Sequence, residues 1–239
     1  MKIKVIMPDK AMDRKTLDER EVMLSKALSP GVGISVDCIK RGPDELDCNT
    51  DEAFAAAELV KESIQAEKDG FDAIVIYCFS DVGIDAVREN VRIPVIGPGE
   101  TALSAANMLC NRFTVITTER INIPRTYRRL MRNGIAREKM TSVRALDIPI
   151  MELRSDPGIT GKYLKNVCAD AVDKEQVDGV ILGCLGMASY GDMIEEELPV
   201  KVFDPAFISV AYAEMCARLG MRHNPAVYPP FMNNSNVEL

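Results

Sequence analysis

Phe71-Asp72-Ala73-Ile74-Val75-Ile76-Tyr77-Cys78 and Val177-Asp178-Gly179-Val180-Ile181-Leu182-Gly183-Cys184 align without a gap. Each is an acidic residue, then a short apolar β-branched run, then a cysteine. The spacing between them is 106 residues (184 − 78). Further matches extend the repeat. Lys4-Val5-Ile6-Met7 resembles Thr114-Val115-Ile116-Thr117 at a spacing of 110 (114 − 4). Ile93-Pro94-Val95 aligns with Leu198-Pro199-Val200, one residue shorter, and Ala106–Cys110 falls on Tyr212–Cys216 at 106 again (212 − 106). A chain that repeats itself in this way is read as two copies of one structural unit.

Working outward, short apolar runs alternate with longer amphipathic segments. Strands are expected at Ile3–Met7, Ile34–Ile39, Ala73–Tyr77, Val95–Gly97, Phe113–Thr117, Ser142–Leu146, Gly179–Leu182 and Val200–Phe203. Helices are expected near Arg14–Leu28, Asp51–Asp69, Asp81–Asn90, Glu100–Leu109, Pro124–Asn133, Ile159–Lys174, Ser189–Glu197 and Ala206–Leu219. This alternation predicts an α/β fold with parallel strands buried on both faces and right-handed crossovers. The duplication divides it into two pseudo-symmetric four-stranded lobes. One comprises residues 1–98 with 206–239, the other residues 99–205, because the last helix corresponds to the linking helix of the first copy.

Composition narrows the function. Of 239 residues, 47% are apolar and 27% charged, as in ordinary globular proteins. The net charge of −7 argues against nucleic-acid binding and against anionic membranes. No apolar run approaches the ~20 residues of a membrane span. The start, Met1–Pro8, reads directly as a strand with no signal-peptide pattern, so a cytoplasmic protein is expected. The seven cysteines are scattered, without a Cys-x-x-Cys pair, and fit free thiols in a reducing compartment. His223 is the single histidine, which argues against a histidine triad or a multi-histidine metal site. The expected partner is a small molecule, and a homo-oligomer is expected; no metal or other cofactor is called for.

The chemistry rests on Cys78 and Cys184. Ligands of α/β sheets gather at the carboxyl ends of the strands. Both cysteines stand at that point, at the same station of each copy, and are expected on opposite walls of a cleft between the lobes. Inverting a carbon requires removing a proton from one face and returning one to the other. A thiolate and a thiol on opposite sides suit this, with the sulfurs roughly 7–10 Å apart so that each is within proton-transfer reach. Helix N-termini lower thiol pKa values, and Ser80-Asp81 and Ser189 read as helix-start residues after the two cysteines. An isolated cysteine beside an apolar strand is ordinarily a small buried hydrophobe. Cys38, Cys48 and Cys168 are read so, as are Cys110 and Cys216, which repeat at 106 but lie in apolar helices.

The two motifs carry a family resemblance. Cys78-Phe79-Ser80-Asp81-Val82-Gly83-Ile84-Asp85 resembles the first-cysteine motif of hydantoin racemases, Cys-Phe-Gly-Asp-Pro-Gly-Leu. Leu182-Gly183-Cys184-Leu185-Gly186-Met187 is similar to their second motif, Leu-Gly-Cys-Ala-Gly-Met. Gly97-Pro98-Gly99-Glu100 and Asp204-Pro205 also fit, and the likeness runs from Val5 to about Leu219. The resemblance implies a two-lobed fold of the aspartate/glutamate racemase superfamily, no pyridoxal phosphate, no metal, and two catalytic cysteines, here Cys78 and Cys184. Its implied substrate is a 5-substituted hydantoin, allantoin or a similar cyclic amide. Phe79-Ser80 stands where amino-acid racemases carry Asn-Thr, and Gly-Cys-Leu-Gly where glutamate racemases carry Gly-Cys-Thr-His. Both differences weigh against aspartate or glutamate. Met7-Pro8-Asp9 replaces the usual Asn-Pro-Asn, which leaves the ring substrate open.

Substrate contacts are expected from strand-end residues: Pro8, Phe79, Ser80, Thr117, Thr118, Leu185 and Gly186. For Thr117-Thr118 a simple strand-end turn reads equally well. Gly97–Glu100 lacks the full phosphate-loop spacing and reads as a helix-start turn. Arg125–Arg129 with Arg132 reads as a solvated helix face and Glu195–Glu197 as a surface helix end. Asp147–Pro157 reads as a loop that covers the site or contacts another subunit, and the tail from Tyr228 has no periodicity. Other isomerases of the superfamily, such as amino-acid racemases and maleate cis–trans isomerases, are the enzymatic alternative. Arylmalonate decarboxylases keep only the second cysteine, so Cys78 counts against them. A two-lobed solute-binding module is the non-enzymatic alternative.

Overall fold

The computed structural model describes residues 1–134 and 138–230; the rest of the expected C-terminal tail, residues 231–239, lies outside the described residues. The chain divides into two compact units, residues 1–98 with 209–239 and residues 99–208. Each is a four-stranded, all-parallel sheet.

In the first unit the strands are β1 (Lys2–Met7), β2 (Gly33–Cys38), β3 (Ala73–Ile76) and β4 (Val95–Ile96), in the order β2-β1-β3-β4. Helices α1 (Arg14–Ser25), α2 (Asn49–Lys68) and α3 (Ile84–Asn90) connect them. In the second unit β5 (Phe113–Thr117), β6 (Met140–Ala145), β7 (Gly179–Leu182) and β8 (Lys201–Phe203) follow the order β6-β5-β7-β8. Their helices are α5 (Ile123–Arg132), α6 (Pro157–Glu175) and α7 (Gly191–Glu195). Helices α4 (Pro98–Leu109) and α8 (Pro205–Leu219) follow the fourth strand of each sheet. Helix α8 begins in the second unit and ends in the first by residue membership.

Register shows how closely the copies agree. Ile3 pairs with Ala73, and Phe113 with Gly179, so the spacings of 110 and 106 put the same partners together twice. An aspartate fixes this pairing in both sheets. Asp72 Oδ2 accepts from Lys2 N at 2.7 Å while Asp72 N donates to Lys2 O at 2.8 Å. Asp178 Oδ1 accepts from Arg112 N at 2.8 Å while Asp178 N donates to Arg112 O at 2.9 Å. The fourth strands depart from the sequence alignment. Ile74 pairs with Val95 and Val180 with Val202, so Val95 corresponds to Val202 and not to Val200. The reason is local: Val200 N donates to Leu198 O at 2.8 Å, a tight turn at Pro199 that delays β8.

Strands β3, β5 and β7 are buried along their whole length, whereas β2 and β6, at the sheet edges, are mostly half-buried and carry Asp37, Thr141, Ser142 and Arg144, so the expected burial on both faces holds for the inner strands and not for these two. Ile6, Leu59, Ile74, Ile76, Val87 and Val95 share one core, and Ile116, Leu164, Cys168, Val180, Leu182 and Val202 another. The helices meet these cores through regular stripes, such as Thr160, Leu164, Cys168 and Ala171 of α6. Asp156 caps α6, accepting from Ile159 N, with Pro157 at the first helical position. The Arg-rich α5 is only partly a solvated face: Thr126 is buried, and Tyr127 Oη accepts from Val143 N at 3.2 Å. Two helices start later than the sequence suggests. Asp81, Gly83 and Ser189 adopt left-handed backbone (φ +52°, +62° and +77°), so α3 begins at Ile84 and α7 at Gly191.

The aspartate clasp makes a stability prediction. Burial opposes the Asp178 charge, but the backbone N–H groups of Asn111 and Arg112 outweigh it and hold the carboxyl below its usual range. Asp178→Ala is expected to lose about 1–2 kcal/mol in urea unfolding at pH 7, because charged hydrogen bonds disappear. A lowered folded-state pKa gives stability that is present above the unfolded value of about 3.9 and fades as pH falls through the folded one. The deficit should therefore shrink in acid; a deficit unchanged at pH 3 would contradict the assignment.

Candidate active site

The catalytic candidates stand where parallel pairing runs out. Cys78 lies two residues past the end of β3, after Tyr77. Its N–H donates to Ile76 O at 2.7 Å, and its carbonyl accepts from Asp81 N at 3.0 Å, so the chain folds back at once. The thiol is half-buried, with Sγ 3.0 Å from Ser80 Oγ, and either atom can donate. Phe79 is buried. Ser80 is half-buried. Pro8, one residue past β1, is buried at the same carboxyl edge of this sheet.

Cys184 lies two residues past the end of β7, after Gly183, and is itself the cap of a 3₁₀ turn, Leu185–Met187. Its Sγ accepts from Gly186 N at 3.4 Å, and its carbonyl accepts from Met187 N at 2.9 Å. A backbone N–H can only donate, so the sulfur is the acceptor in this contact. Neither expected helix start holds: Ser189 does not cap α7, whose N-cap is Tyr190, and Ser80-Asp81 does not cap α3, whose N-cap is Gly83, while Cys184 itself caps the 3₁₀ turn. Leu185 is buried and Gly186 half-buried. Gly183 is required: a Cβ there would lie 2.7 Å from Ile116 O and 2.8 Å from Val115 Cγ1.

Thr117 and Thr118 are buried at the end of β5 in the second unit. Thr118 Oγ1 accepts from Asn122 Nδ2 at 3.1 Å. The structure therefore brings Pro8, Cys78, Phe79 and Ser80 to the strand-end edge of the first sheet. Thr117, Thr118, Cys184, Leu185 and Gly186 occupy that edge of the second.

Several neighbours were missed in the sequence. The Asp147–Pro157 segment packs on the Cys184 turn: a Cβ on Gly186 would lie 2.8 Å from the buried Leu153 Cδ1, and Arg154 Nη2 donates to Ala188 O at 3.3 Å. Its proline and charge content hid this packing. Asp204, directly after β8, accepts from Ser189 N at 2.8 Å and from Ala206 N at 3.0 Å. Burial pushes its carboxyl up, partly offset by these N–H groups. In the first unit Arg20 is buried, with its guanidinium 5.5 Å over the Tyr77 ring beside Cys78. Its Nε and Nη1 have no hydrogen-bond acceptor among the described residues. The signal was its place between Leu17 and Leu24, on the buried stripe of α1.

The other thiols divide clearly. Burial pushes Cys168 up to about 12 and Cys110 to about 11, and it raises Cys216 too. Burial and then the Asp9 charge raise Cys38 to about 11. Cys48 is exposed at the start of α2, and Cys110 lies just past α4, two small corrections to the buried-in-a-helix reading. Among the described residues no three His, Cys, Asp or Glu side chains gather as a metal site, and no helix is long and apolar enough to cross a membrane.

Comparison with known proteins identifies the family. The chain is 29% identical to a hydantoin racemase of Pseudomonas sp. (strain NS671) over 226 residues, covering 93% of this chain and 88% of the relative. It is 32% identical to a hydantoin racemase of Rhizobium meliloti over 190 residues, 78% of each chain. Among solved structures, an allantoin racemase from Klebsiella pneumoniae superposes with a TM-score of 0.91 at 25% identity, over 100% of this chain and 96% of that one. A family model described as Asp/Glu/Hydantoin racemase matches residues 19–213, most of both units. The chain belongs to the Asp/Glu/hydantoin racemase family, a family of isomerases.

Proposed function

We propose that this protein is a cofactor-independent racemase of a small cyclic amide, a 5-substituted hydantoin or allantoin, with Cys78 and Cys184 as its two acid/base groups. The observation that carries the reading is the matched station of the two thiols. Each is half-buried, two residues beyond the third strand of its sheet, in a turn that places a hydrogen-bonding group on the sulfur. The hydantoin racemase relatives and the likeness to an allantoin racemase support the substrate class.

In this mechanism one sulfur, as thiolate, takes the proton from the carbon next to the ring carbonyl. The C–H electron pair moves into the carbonyl, giving a planar enolate. The other sulfur, as thiol, delivers its proton to the opposite face, and the pair returns to carbon. One proton leaves and one arrives, so no redox partner is needed. The next turnover starts from the exchanged protonation state, or the state resets through solvent. Pro8, Phe79, Ser80, Thr117, Thr118, Leu185 and Gly186 are proposed to contact the substrate. Backbone and hydroxyl donors there would stabilise the enolate oxygen.

Two experiments test this. Racemisation is followed by optical rotation, and exchange by deuterium entry at the stereocentre, across hydantoins, allantoin and amino acids. Cys78→Ser and Cys184→Ser are each expected to lose at least ~10²-fold in racemisation, the scale of a positioned acid/base group. Each variant should still exchange one enantiomer with retention, and the two should prefer opposite hands. Native-rate racemisation by Cys78→Ser would refute the two-thiol mechanism.

Secondly, activity should survive exhaustive dialysis and a chelator. The ground is the donor set: a single histidine, His223, and dispersed thiols. A requirement for a divalent ion or pyridoxal phosphate would show that the chemistry has been assigned to the wrong groups.

A further inference from the structure

Each cysteine turn meets the end of the fourth strand of its own sheet, and a carboxyl group stands at both junctions. In the second unit the carboxyl comes from the strand end. Asp204 is largely buried, and its two oxygens are divided between two tasks. Oδ1 accepts from Ala206 N in the first turn of α8, while Oδ2 accepts from Ser189 N, in the turn that starts at Cys184. Ser189 holds a left-handed backbone, φ +77°, which is costly for a residue other than glycine and persists only when its surroundings enforce it.

In the first unit the register partner of Asp204 is Gly97, since Val95 corresponds to Val202. Gly97 has no side chain, and here the carboxyl comes from the turn. Asp81, three residues after Cys78 and again left-handed at φ +52°, lies over Gly97. A Cβ on Gly97 would sit 2.5 Å from Asp81 Oδ1 and 2.6 Å from its Cγ. The two copies thus place a carboxyl at the same junction from opposite sides: from strand end to turn in one, and from turn to strand end in the other.

We infer that Asp204 and Asp81 are positioning residues that latch the Cys184 and Cys78 turns to the neighbouring strand ends. They act through the left-handed residue of each turn. Asp204 does so by holding Ser189 N, and Asp81 by seating its own side chain over Gly97. The relevance to catalysis rests on the two-thiol reading above; the latch itself is a property of each unit.

The test separates these levels. Asp204→Ser keeps a helix-capping hydroxyl for α8 but is too short to serve both N–H groups. The readout is site-resolved iodoacetamide alkylation of the full-length protein as a function of pH, which needs no substrate, together with racemisation. Asp204→Ser is expected to move the pH profile of Cys184 and leave that of Cys78 unchanged. It should lower racemisation at least ~10-fold, since misplacing an acid/base group costs about this much or more. Ser189→Gly added to Asp204→Ser should restore the Cys184 profile and most of the rate, because glycine adopts positive φ unaided. A role limited to capping α8 would not be rescued this way.

The first unit provides an independent arm should Asp204→Ser fail to fold. Gly97→Ala is expected to move the Cys78 profile alone, and Asp81→Gly in that background to restore it. An unchanged Cys184 profile in folded Asp204→Ser, or absence of rescue by the added glycine in either unit, would overturn the latch. Shifted and rescued alkylation in a protein that racemises nothing in the panel would instead overturn the functional reading and leave the latch standing.

Discussion

Hydrogen bonding between the first and third strands of each sheet sets where every functional atom can stand. Apart from Lys2 and Lys4 of β1, these strands are buried, so their side chains are committed to packing, and polar chemistry is displaced to the point where pairing stops. Tyr77 N and Gly183 N make the last bonds, to Ile6 O and Ile116 O, and the cysteine is the next residue in both sheets. Asp72 and Asp178 fix the opposite end of the same pairing, 106 residues apart. A slip of one residue would turn each third strand inside out and carry its cysteine with it. The position of the thiols is therefore a consequence of core packing at the strand, not a local preference of the turn.

Within this shared frame the copies have diverged at the atoms nearest sulfur. Cys78 faces a hydroxyl, which can donate to a thiolate or accept from a thiol. Cys184 faces a backbone N–H, which can only donate. Before the cysteine, the first copy has Tyr77 stacked with a buried guanidinium, and the second has a glycine because β5 leaves no room for a side chain. The proposed exchange of roles between the two thiols does not require the same surroundings. The requirement is that each can exist in both protonation states, and different donors can meet it.

The architecture was legible because it rests on apolar runs and a repeat, both of which are properties of residue type. Phe113–Thr117 and Gly179–Leu182 appear at the expected bounds. What was not legible depends on backbone geometry. The match of Ile93-Pro94-Val95 to Leu198-Pro199-Val200 is good as text, yet the turn at Pro199 shifts the pairing. The serine and aspartate residues after each cysteine look like helix caps, but Asp81 and Ser189 take left-handed conformations instead. Asp204 could be recognised as part of a motif, whereas its hold on Ser189 requires two segments brought together by the sheet. Buried Arg20 contradicts the usual rule for charge and was signalled only by its neighbours in the helix.

The cysteines illustrate how the fold gives chemically identical groups different surroundings. A thiol is useful in proton transfer only if its anion is accessible near neutral pH. Burial pushes Cys168 and Cys110 away from that range, and a neighbouring carboxyl compounds it for Cys110 (Asp178) and for Cys38 (Asp9). Cys38 is the most instructive of these. It ends β2 at the same carboxyl edge of the sheet as Cys78, so strand-end position by itself is not sufficient. The difference lies in what the next residues bring to the sulfur: Asp9 Oδ1 accepts from Cys38 and favours its neutral form, whereas Ser80 and Gly186 present groups able to donate. Position at the strand end makes a cysteine available, and the proposed acid/base role falls to the two whose following turn brings a group able to donate to the sulfur.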